Sequence, residues 1–129
     1  MKAVLLTLLV VALVLACNVE PQGVFTHNKS INSVDDALRW VSSNIAYTPD
    51  NVLNDWALPR YTYESRCGDC EDFVLLFMYF LDEMGISSEA VVVECYDGSF
   101  HAIARVGVDY YEVVGGVWAI SDRRLYLFY

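Results

Sequence analysis

The sequence is poor in basic side chains, with 8 Lys and Arg against 17 Asp and Glu among 129 residues and a net charge of −9. A domain that binds nucleic acid needs a basic face, so the composition argues against a nucleic-acid partner. Histidine and proline are also scarce, at two and three residues. An apolar content of 56% is too high for a disordered chain, and the length predicts one compact domain.

The sequence has no apolar run as long as the roughly 20 residues of a transmembrane helix. The run from Ala3 to Ala16 follows Met1-Lys2 and is typical of a secretory signal peptide. It ends in a small residue before Cys17, which resembles the cleavage box of bacterial lipoproteins. We therefore predict a signal peptide over 1–16 and a tether over 17–30 with a lipidated Cys17. The mature protein would be exported to the cell envelope or periplasm and attached to the membrane.

The pattern of residues 31–129 predicts an α+β domain. Apolar side chains recur at helical spacing over 34–45, and an almost wholly apolar stretch over 73–81 predicts a buried central helix. The segment 50–68 between them lacks periodicity, so we expect it to be irregular. Short strand patterns follow, and we expect the helices to pack on one antiparallel sheet. The predicted strands are 89–96, 100–106, 110–114, 117–120 and 125–128.

Cys70 stands where the central helix is predicted to begin, a position that favours the thiolate form of cysteine. A cysteine nucleophile also needs a base, usually a histidine. Because His27 falls in the predicted tether, His101 is the candidate that elimination leaves, which suggests a Cys70–His101 dyad. The alternative is a small buried cysteine and an unrelated polar histidine on a strand.

Several motifs resemble those of bacterial transglutaminase-like cysteine proteinases. They are Asn54-Asp55-Trp56-Ala57-Leu58-Pro59, Thr62, Gly68-Asp69-Cys70-Glu71-Asp72-Phe73 and His101-Ala102. The resemblance covers about residues 34–116 and implies a papain-like fold in which Cys70 attacks a carbonyl carbon and His101 is base and then acid. It implies acyl transfer on a protein or peptide substrate, as a peptidase or amidase or by exchange of a glutamine amide. A catalytically weak binding module with the same fold remains the alternative.

The resemblance also implies an acid that orients the imidazole from the strand next to His101. This sequence has Gly115 or Gly116 at that place. Loss of such an acid lowers the rate by orders of magnitude without abolishing the reaction. Three alternatives therefore stay open: Glu112 replaces the acid, Asp122 replaces it, or the dyad has no third member.

The expected strand register argues against Glu112. A two-residue turn at Val108-Asp109 would place Arg105 opposite Glu112. That turn, or one of three residues, would leave His101 opposite a glycine. We therefore expect Glu112 to pair with Arg105.

Three acids surround the candidate nucleophile: Asp69, Glu71 and Asp72. Acids suit a helix N-terminus, so capping is the simplest interpretation. They also disfavour the Cys70 thiolate, a conflict that a bound cation would remove. Clustered carboxylate oxygens suit Ca²⁺, and some exported members of the family that the sequence resembles bind calcium in this way. We therefore hypothesise a weak calcium site at these three residues and expect no other cofactor.

Other readings of the cysteines stay open. Cys67 and Cys70 form a C-x-x-C motif, but a thioredoxin-like protein has a later cis-proline and this chain has no proline after Cys67. A zinc site could be built from Cys67, Cys70, Cys95 and His101. A disulfide from Cys67 to either Cys70 or Cys95 is compatible with an oxidising compartment.

Overall fold

The computed structural model describes residues 30–49, 56–117 and 126–128. The described helices are α1 (Val34–Asn44), α2 (Pro59–Ser65) and α3 (Cys70–Glu83). The strands are β1 (Ala46–Tyr47), β2 (Cys67–Gly68), β3 (Glu89–Cys95), β4 (Phe100–Val106), β5 (Asp109–Tyr111) and β6 (Tyr126–Phe128). In these parts of the chain, no helix is long and apolar enough to cross a membrane. The predicted signal peptide, Cys17 and nearly all of the tether lie outside the described residues, as do His27, Asn54, Asp55 and Asp122.

Helix α1 begins where the sequence predicts it. The Ser33 hydroxyl accepts a hydrogen bond from the backbone N–H of Asp36 at 3.0 Å, which satisfies one of the unpaired donors at the helix start. The face formed by Ala37, Leu38 and Val41 is buried. This face gives α1 its place in the core against α3.

Helix α2 lies in the segment that was expected to be irregular, so that expectation was wrong for residues 59–65. Pro59 occupies the first turn, where its missing N–H is no loss. The helix is stabilised by tertiary packing, because Tyr63 stacks on Trp40 of α1 with ring centroids 5.1 Å apart. It ends at Arg66, which adopts the left-handed conformation with φ of 61°.

Helix α3 is the buried central helix that the apolar stretch predicts. Half of its residues are buried, and Phe73, Phe77 and Phe80 are its largest fully buried side chains. Helices α1 and α2 and strand β4 all contact α3. The core therefore forms around α3, and the residue at its start is held on a rigid element.

The main sheet has the order β5-β4-β3-β6, and all of its pairs are antiparallel. Small side chains, Ala102 and Ala104, belong to the core cluster together with α3 residues and let the helix approach β4 closely. This arrangement confirms the predicted α+β architecture with helices packed on an antiparallel sheet.

The turn between β4 and β5 differs from the predicted one. Val106 pairs with Asp109, so the two turn residues are Gly107 and Val108, one position earlier than expected. Gly107 has φ of 62°, and a glycine with positive φ at the first central position is the mark of a type II′ hairpin turn. Arg105 consequently lies opposite Tyr110 and not opposite Glu112.

Strand β5 is shorter than predicted, because its ladder with β4 ends at the pair Ala104–Tyr111. The chain then forms a separate tight turn in which Glu112 and Val117 exchange backbone hydrogen bonds at 3.0 Å each. Gly116 lies in this turn with φ of 66°, and a Cβ there would lie 2.6 Å from Ser42 Oγ of α1. The glycines at the place expected for the orienting acid thus serve the turn and its packing.

Candidate active site

Cys70 is the first residue of α3, as the sequence predicts. Strand β2 immediately before it pairs in parallel with β1, placing Cys67 opposite Ala46 and Gly68 opposite Tyr47. Thr48 N–H donates to the Gly68 carbonyl at 2.8 Å. The approach to the helix is therefore fixed by backbone hydrogen bonds on both sides of Tyr47.

Asp72 holds the segments that meet at the start of α3. Its Oδ2 accepts from the backbone N–H of Asp69 at 3.2 Å, as part of a capping box, and its Oδ1 accepts from the N–H of Ala57 at 2.8 Å. Gly68 lies so close that a Cβ there would be 2.7 Å from Asp72 Cβ. The Gly-Asp-Cys-Glu-Asp motif thus contains a glycine for close approach and an acid that caps the helix.

The Cys70 thiol is held in its protonated form. Sγ donates a hydrogen bond to Glu71 Oε2 at 3.0 Å. Burial, the hydrogen bond to Glu71 and the charges of Glu71 and Asp69 raise the pKa of Cys70 to about 12, although the N–H of Ala102 acts in the opposite direction. The start of a helix favours a thiolate, but here burial and the neighbouring acids outweigh it.

Glu71 is an ionised acid beside this thiol. Burial opposes its ionisation, but hydrogen bonds with Cys70 and Asp69 and the attraction of His101 outweigh burial, so the pKa of Glu71 lies below its usual value. Asp69 itself is buried. Two acidic side chains therefore contact each other at the start of α3, within electrostatic reach of His101.

The path of β4 explains how Ala102 N–H reaches Cys70. The residues that flank a two-residue hairpin turn form a hydrogen-bonded pair, so Val106 and every second residue before it direct their backbone groups toward β5. Ala102 is one of these residues, and the ladder with β5 ends before it, at Ala104. The thiol of Cys70 thus lies at the edge of β4 where β5 turns away, next to the residue that follows His101.

His101 and Glu112 form a close pair, with 2.7 Å between Nε2 and Oε2. Both side chains are mostly buried, at 21% and 16% exposure. Glu112 lies one residue beyond the end of β5, so its side chain reaches diagonally across the sheet edge to the imidazole. This contact places Glu112, one of the alternatives that the sequence left open, where it can orient His101, whereas Asp122 lies outside the described residues.

The expected pairing of Glu112 with Arg105 was therefore wrong. Arg105 instead forms an ion pair with Glu89, which lies directly opposite it on β3. The turn at Gly107 and Val108 shifts the register and removes Glu112 from the row of Arg105. The signal in the sequence that could have predicted this shift is Gly107, because glycine is favoured at the first central position of a type II′ hairpin turn.

The cysteines differ from the disulfides that the sequence left open. Cys67 is disulfide-bonded, but Cys70 and Cys95 are free thiols, so neither a Cys67–Cys70 nor a Cys67–Cys95 bridge is present. A dithiol redox site at the C-x-x-C motif and a zinc site that uses Cys67 are both inconsistent with this state.

The acids fit a calcium ion only in part. Asp69 and Glu71 offer hard oxygen donors in direct contact with each other. Both Asp72 oxygens already accept backbone N–H groups, so Asp72 caps the helix and fixes the Ala57 segment. Within the described ranges, no three His, Cys, Asp or Glu side chains are placed to hold a metal.

Comparison with known proteins relates this chain to one family and to two solved structures. The family model of the transglutaminase-like superfamily matches residues 22–122. Calcium-bound LapG of Legionella pneumophila is a structural neighbour, with a TM-score of 0.64 and 14% identity over 74% of this chain and 60% of that one. A candidate cysteine protease from Cytophaga hutchinsonii follows, with a TM-score of 0.50 and 18% identity over 75% of this chain and 40% of that one. No curated protein matches. These likenesses show the fold, and this chain spans 60% or less of either neighbour.

Proposed function

The chain belongs to the transglutaminase-like superfamily, and from this premise we propose that it is an exported cysteine peptidase or amidase acting through Cys70 and His101. The observation that supports this function best is the contact between His101 Nε2 and Glu112 Oε2 at 2.7 Å. This contact orients a histidine that directly precedes Ala102, whose N–H faces the Cys70 sulfur. A nucleophile, a base and an orienting acid then come from α3, β4 and the turn after β5.

The roles follow from the atoms in contact. Because Glu112 accepts from Nε2–H, the basic lone pair of the His101 imidazole is on Nδ1. Nδ1 takes the thiol proton as Sγ attacks the substrate carbonyl carbon. The backbone N–H of Cys70, in the first turn of α3, is unpaired within the helix and can stabilise the oxyanion that forms.

The second half of the reaction returns the site to its starting state. The C–N bond breaks as the imidazolium gives its proton to the leaving amine, and a thioester to Cys70 remains. His101 then removes a proton from water, which attacks the thioester and releases the acid and the thiol. Glu112 stabilises the imidazolium in both halves, so its role is to position and charge-balance His101.

We further propose that Ca²⁺ binds at Asp69 and Glu71. A bound cation would supply positive charge that offsets the two carboxylates raising the pKa of Cys70. Asp69 and Glu71 would be its anionic ligands, and Asp72 would support them from the helix cap. LapG, a structural neighbour of this chain, is calcium-bound, which supports calcium as the cation.

One observation favours a second function, a binding module without catalysis. A thiol that donates to Glu71, with a pKa of about 12, is a poor nucleophile at neutral pH. In that case the fold would serve in the cell envelope as a groove for a protein or peptide ligand.

Alkylation of the thiol separates the two functions. The Cys95→Ser background removes the other described free thiol, and mass spectrometry of the peptide containing Cys70 follows labelling by iodoacetamide from pH 4 to 10, with and without calcium. The enzyme is expected to show a labelling pH midpoint below about 8.5 with calcium, and the His101→Ala variant should lose this low midpoint.

The Cys70→Ala variant is the control for labelling elsewhere on the chain. A midpoint that stays high with calcium, in both the parent and His101→Ala, would overturn the enzyme and favour the binding module. Hydrolysis of a peptide or amide by the parent, abolished in Cys70→Ala, would complete the case for the enzyme.

A thermal melt tests the calcium site. Millimolar calcium should raise the melting temperature of the parent and of Asp72→Asn, but not of Asp69→Asn, because Asp72 serves the backbone. An unchanged melting temperature of the parent would overturn the site. If calcium raises the melting temperature of Asp69→Asn as much as that of the parent, calcium binds at other residues.

The cellular location is part of the proposal and rests on the sequence. We propose export through the signal peptide 1–16, which would leave Cys17 as the first residue of the mature chain. The mass of the N-terminal peptide of the exported protein tests it, since removal of the signal peptide makes Cys17 the first residue. A chain that still starts at Met1 would contradict export through this segment.

A further inference from the structure

Two exposed apolar side chains lie on the same face of the β3–β4 pair. Val92 is opposite Ala102 and is 44% exposed, and Phe100 is opposite Glu94 and is 67% exposed. Alternate residues of a strand share a face, so Phe100, Ala102 and Ala104 point to the same side of the sheet. Ala102 and Ala104 are buried in the core around α3. We call Val92 and Phe100 the apolar shelf.

The apolar shelf lies just past the start of α3. Helix α3 begins at Cys70, whose sulfur is reached by the N–H of Ala102, so the helix start is level with that residue. Phe100 is two residues farther along β4, about 7 Å at the usual rise of a strand. The helix therefore covers this face as far as Ala102 and leaves Phe100 open beside the nucleophile.

Exposed aromatic side chains also lie on the segments that meet at the start of α3. Tyr47 is 53% exposed and pairs with Gly68, two residues before Cys70. Trp56 is 43% exposed and adjoins Ala57, which is tied to Asp72 in the first turn of α3. Single exposed apolar residues are common on any surface, but these belong to segments that adjoin the start of the helix with the candidate nucleophile.

We infer that the apolar shelf binds a large apolar side chain of the substrate, next to the scissile carbonyl. This inference rests on the proposed peptidase or amidase function and adds its substrate class: peptide segments with a bulky aliphatic or aromatic residue beside the cleaved bond. Burial of such a side chain against Phe100 and Val92 supplies binding energy close to the reacting atoms. A polar residue at the same place would bury less apolar area against Phe100 and Val92, although Glu94 lies opposite Phe100 on this face.

Paired electrophiles test the inference. Two peptidyl acyloxymethyl ketones, one with Phe and one with Asn beside the reactive ketone, alkylate Cys70 as Sγ displaces the carboxylate. The rates are measured in calcium with the Cys95→Ser background. The Phe probe is expected to react at least about tenfold faster than the Asn probe, because filling an apolar pocket usually changes the rate by about this factor. Phe100→Ala should reduce this ratio to within about threefold of unity.

The controls separate the shelf from the chemistry. Iodoacetamide, which has no side chain to bind, should label Cys70 equally in the parent and Phe100→Ala. Val108→Ala removes an 81% exposed apolar residue in the turn that follows β4 and should keep the parent's ratio. Val92→Thr, which conserves shape, is a second shelf variant and is also expected to lower the ratio. It keeps the test available if Phe100→Ala does not fold.

The outcomes distinguish the inference from the function. Equal rates for the two ketones in the parent, or a ratio unchanged in both shelf variants, would overturn the shelf while leaving the enzyme intact. Labelling by iodoacetamide with no reaction of either ketone would overturn both, because the thiol would then lack a substrate site.

Discussion

The two halves of the candidate site differ in how far they are prepared for catalysis. On the strand side, His101 is already in contact with an orienting acid at 2.7 Å. On the helix side, Cys70 donates its proton to Glu71, and burial with two nearby acids raises the pKa of the thiol to about 12. Each half contains carboxylates, yet one acid assists the base and the others oppose the nucleophile.

The difference shows that the position of a carboxylate relative to a titrating group decides its effect. Glu112 lies where it would stabilise a protonated imidazole, which is the form that the proposed reaction creates. Glu71 and Asp69 disfavour the thiolate, which is also a form that the proposed reaction requires. The helix side therefore needs a counter-charge that the strand side does not.

The largest expected effect comes from a substitution that removes the acid in contact with His101. In Glu112→Gln, the imidazole loses its anionic partner, and kcat/KM on a peptide or amide substrate should fall by about 10²–10⁴-fold. Glu89→Gln is the matched control, because it removes an exposed acid that pairs with Arg105 on the same sheet. Activity of Glu112→Gln within about threefold of the parent would show that His101 needs no such partner.

A smaller effect is expected when the helix side is relieved. Glu71→Gln removes the charge and weakens the acceptor beside the thiol, so the pKa of Cys70 should fall. Without calcium, iodoacetamide labelling at pH 8 should then rise about tenfold for each unit of that fall. Glu83→Gln makes the same charge change at the far end of α3 and should label like the parent. Equal labelling of the two variants would contradict the role of Glu71.

The close packing of Gly68 against Asp72, before the start of α3, predicts an effect on stability. Gly68→Ala would place a Cβ 2.7 Å from Asp72 Cβ, so the free energy of unfolding should fall by about 1–3 kcal/mol. The matched control is Gly115→Ala, whose Cβ would meet its nearest neighbour at an ordinary 3.4 Å. Urea unfolding of both variants measures the difference. Two variants of equal stability would mean that the Asp72 cap tolerates displacement.

The smallest effect concerns stability at alkaline pH. The pKa of Cys70 is raised from 9.0 in the unfolded reference to about 12, so the folded state holds the thiol proton more tightly. The resulting stability is complete below pH 9 and is lost between pH 9 and 12, as the unfolded thiol ionises first. Without calcium, the stability of the parent should therefore decline more between pH 8.5 and 10.5 than that of Cys70→Ser. Parallel declines would show that the thiol is not held in this way.

Local signals predicted most of the elements. The helical spacing over 34–45 and the apolar stretch over 73–81 correspond to α1 and α3, and the strand pattern over 100–106 corresponds to β4. Helix α2 was missed because its sequence has a proline and two tyrosines but no periodic apolar face. Its stability comes from the stacking of Tyr63 on Trp40, which no local pattern reports.

The candidate site divides in the same way. Cys70 at a helix start and His101 on a strand could be named from residue type, spacing and motif. The partner of His101 could not, since a shift of one residue in the turn at Gly107 changes which side chains lie opposite each other. The separate role of Asp72 among the three acids was also hidden, because its partners Ala57 and Asp69 are set by how the segments meet.

The sequence by itself therefore determined the family, the α+β class and the two residues proposed for the chemistry, because these depend on composition, periodicity and short motifs. Only the tertiary structure decided which acid contacts His101, which acids contact Cys70, and that Cys67 is bonded to neither Cys70 nor Cys95. Those outcomes depend on strand register and on burial, and both are set when distant segments pack. Carboxylates that cannot be distinguished in the sequence therefore have different effects. According to the atom it contacts, a carboxylate orients the imidazole, caps the helix or disfavours the thiolate.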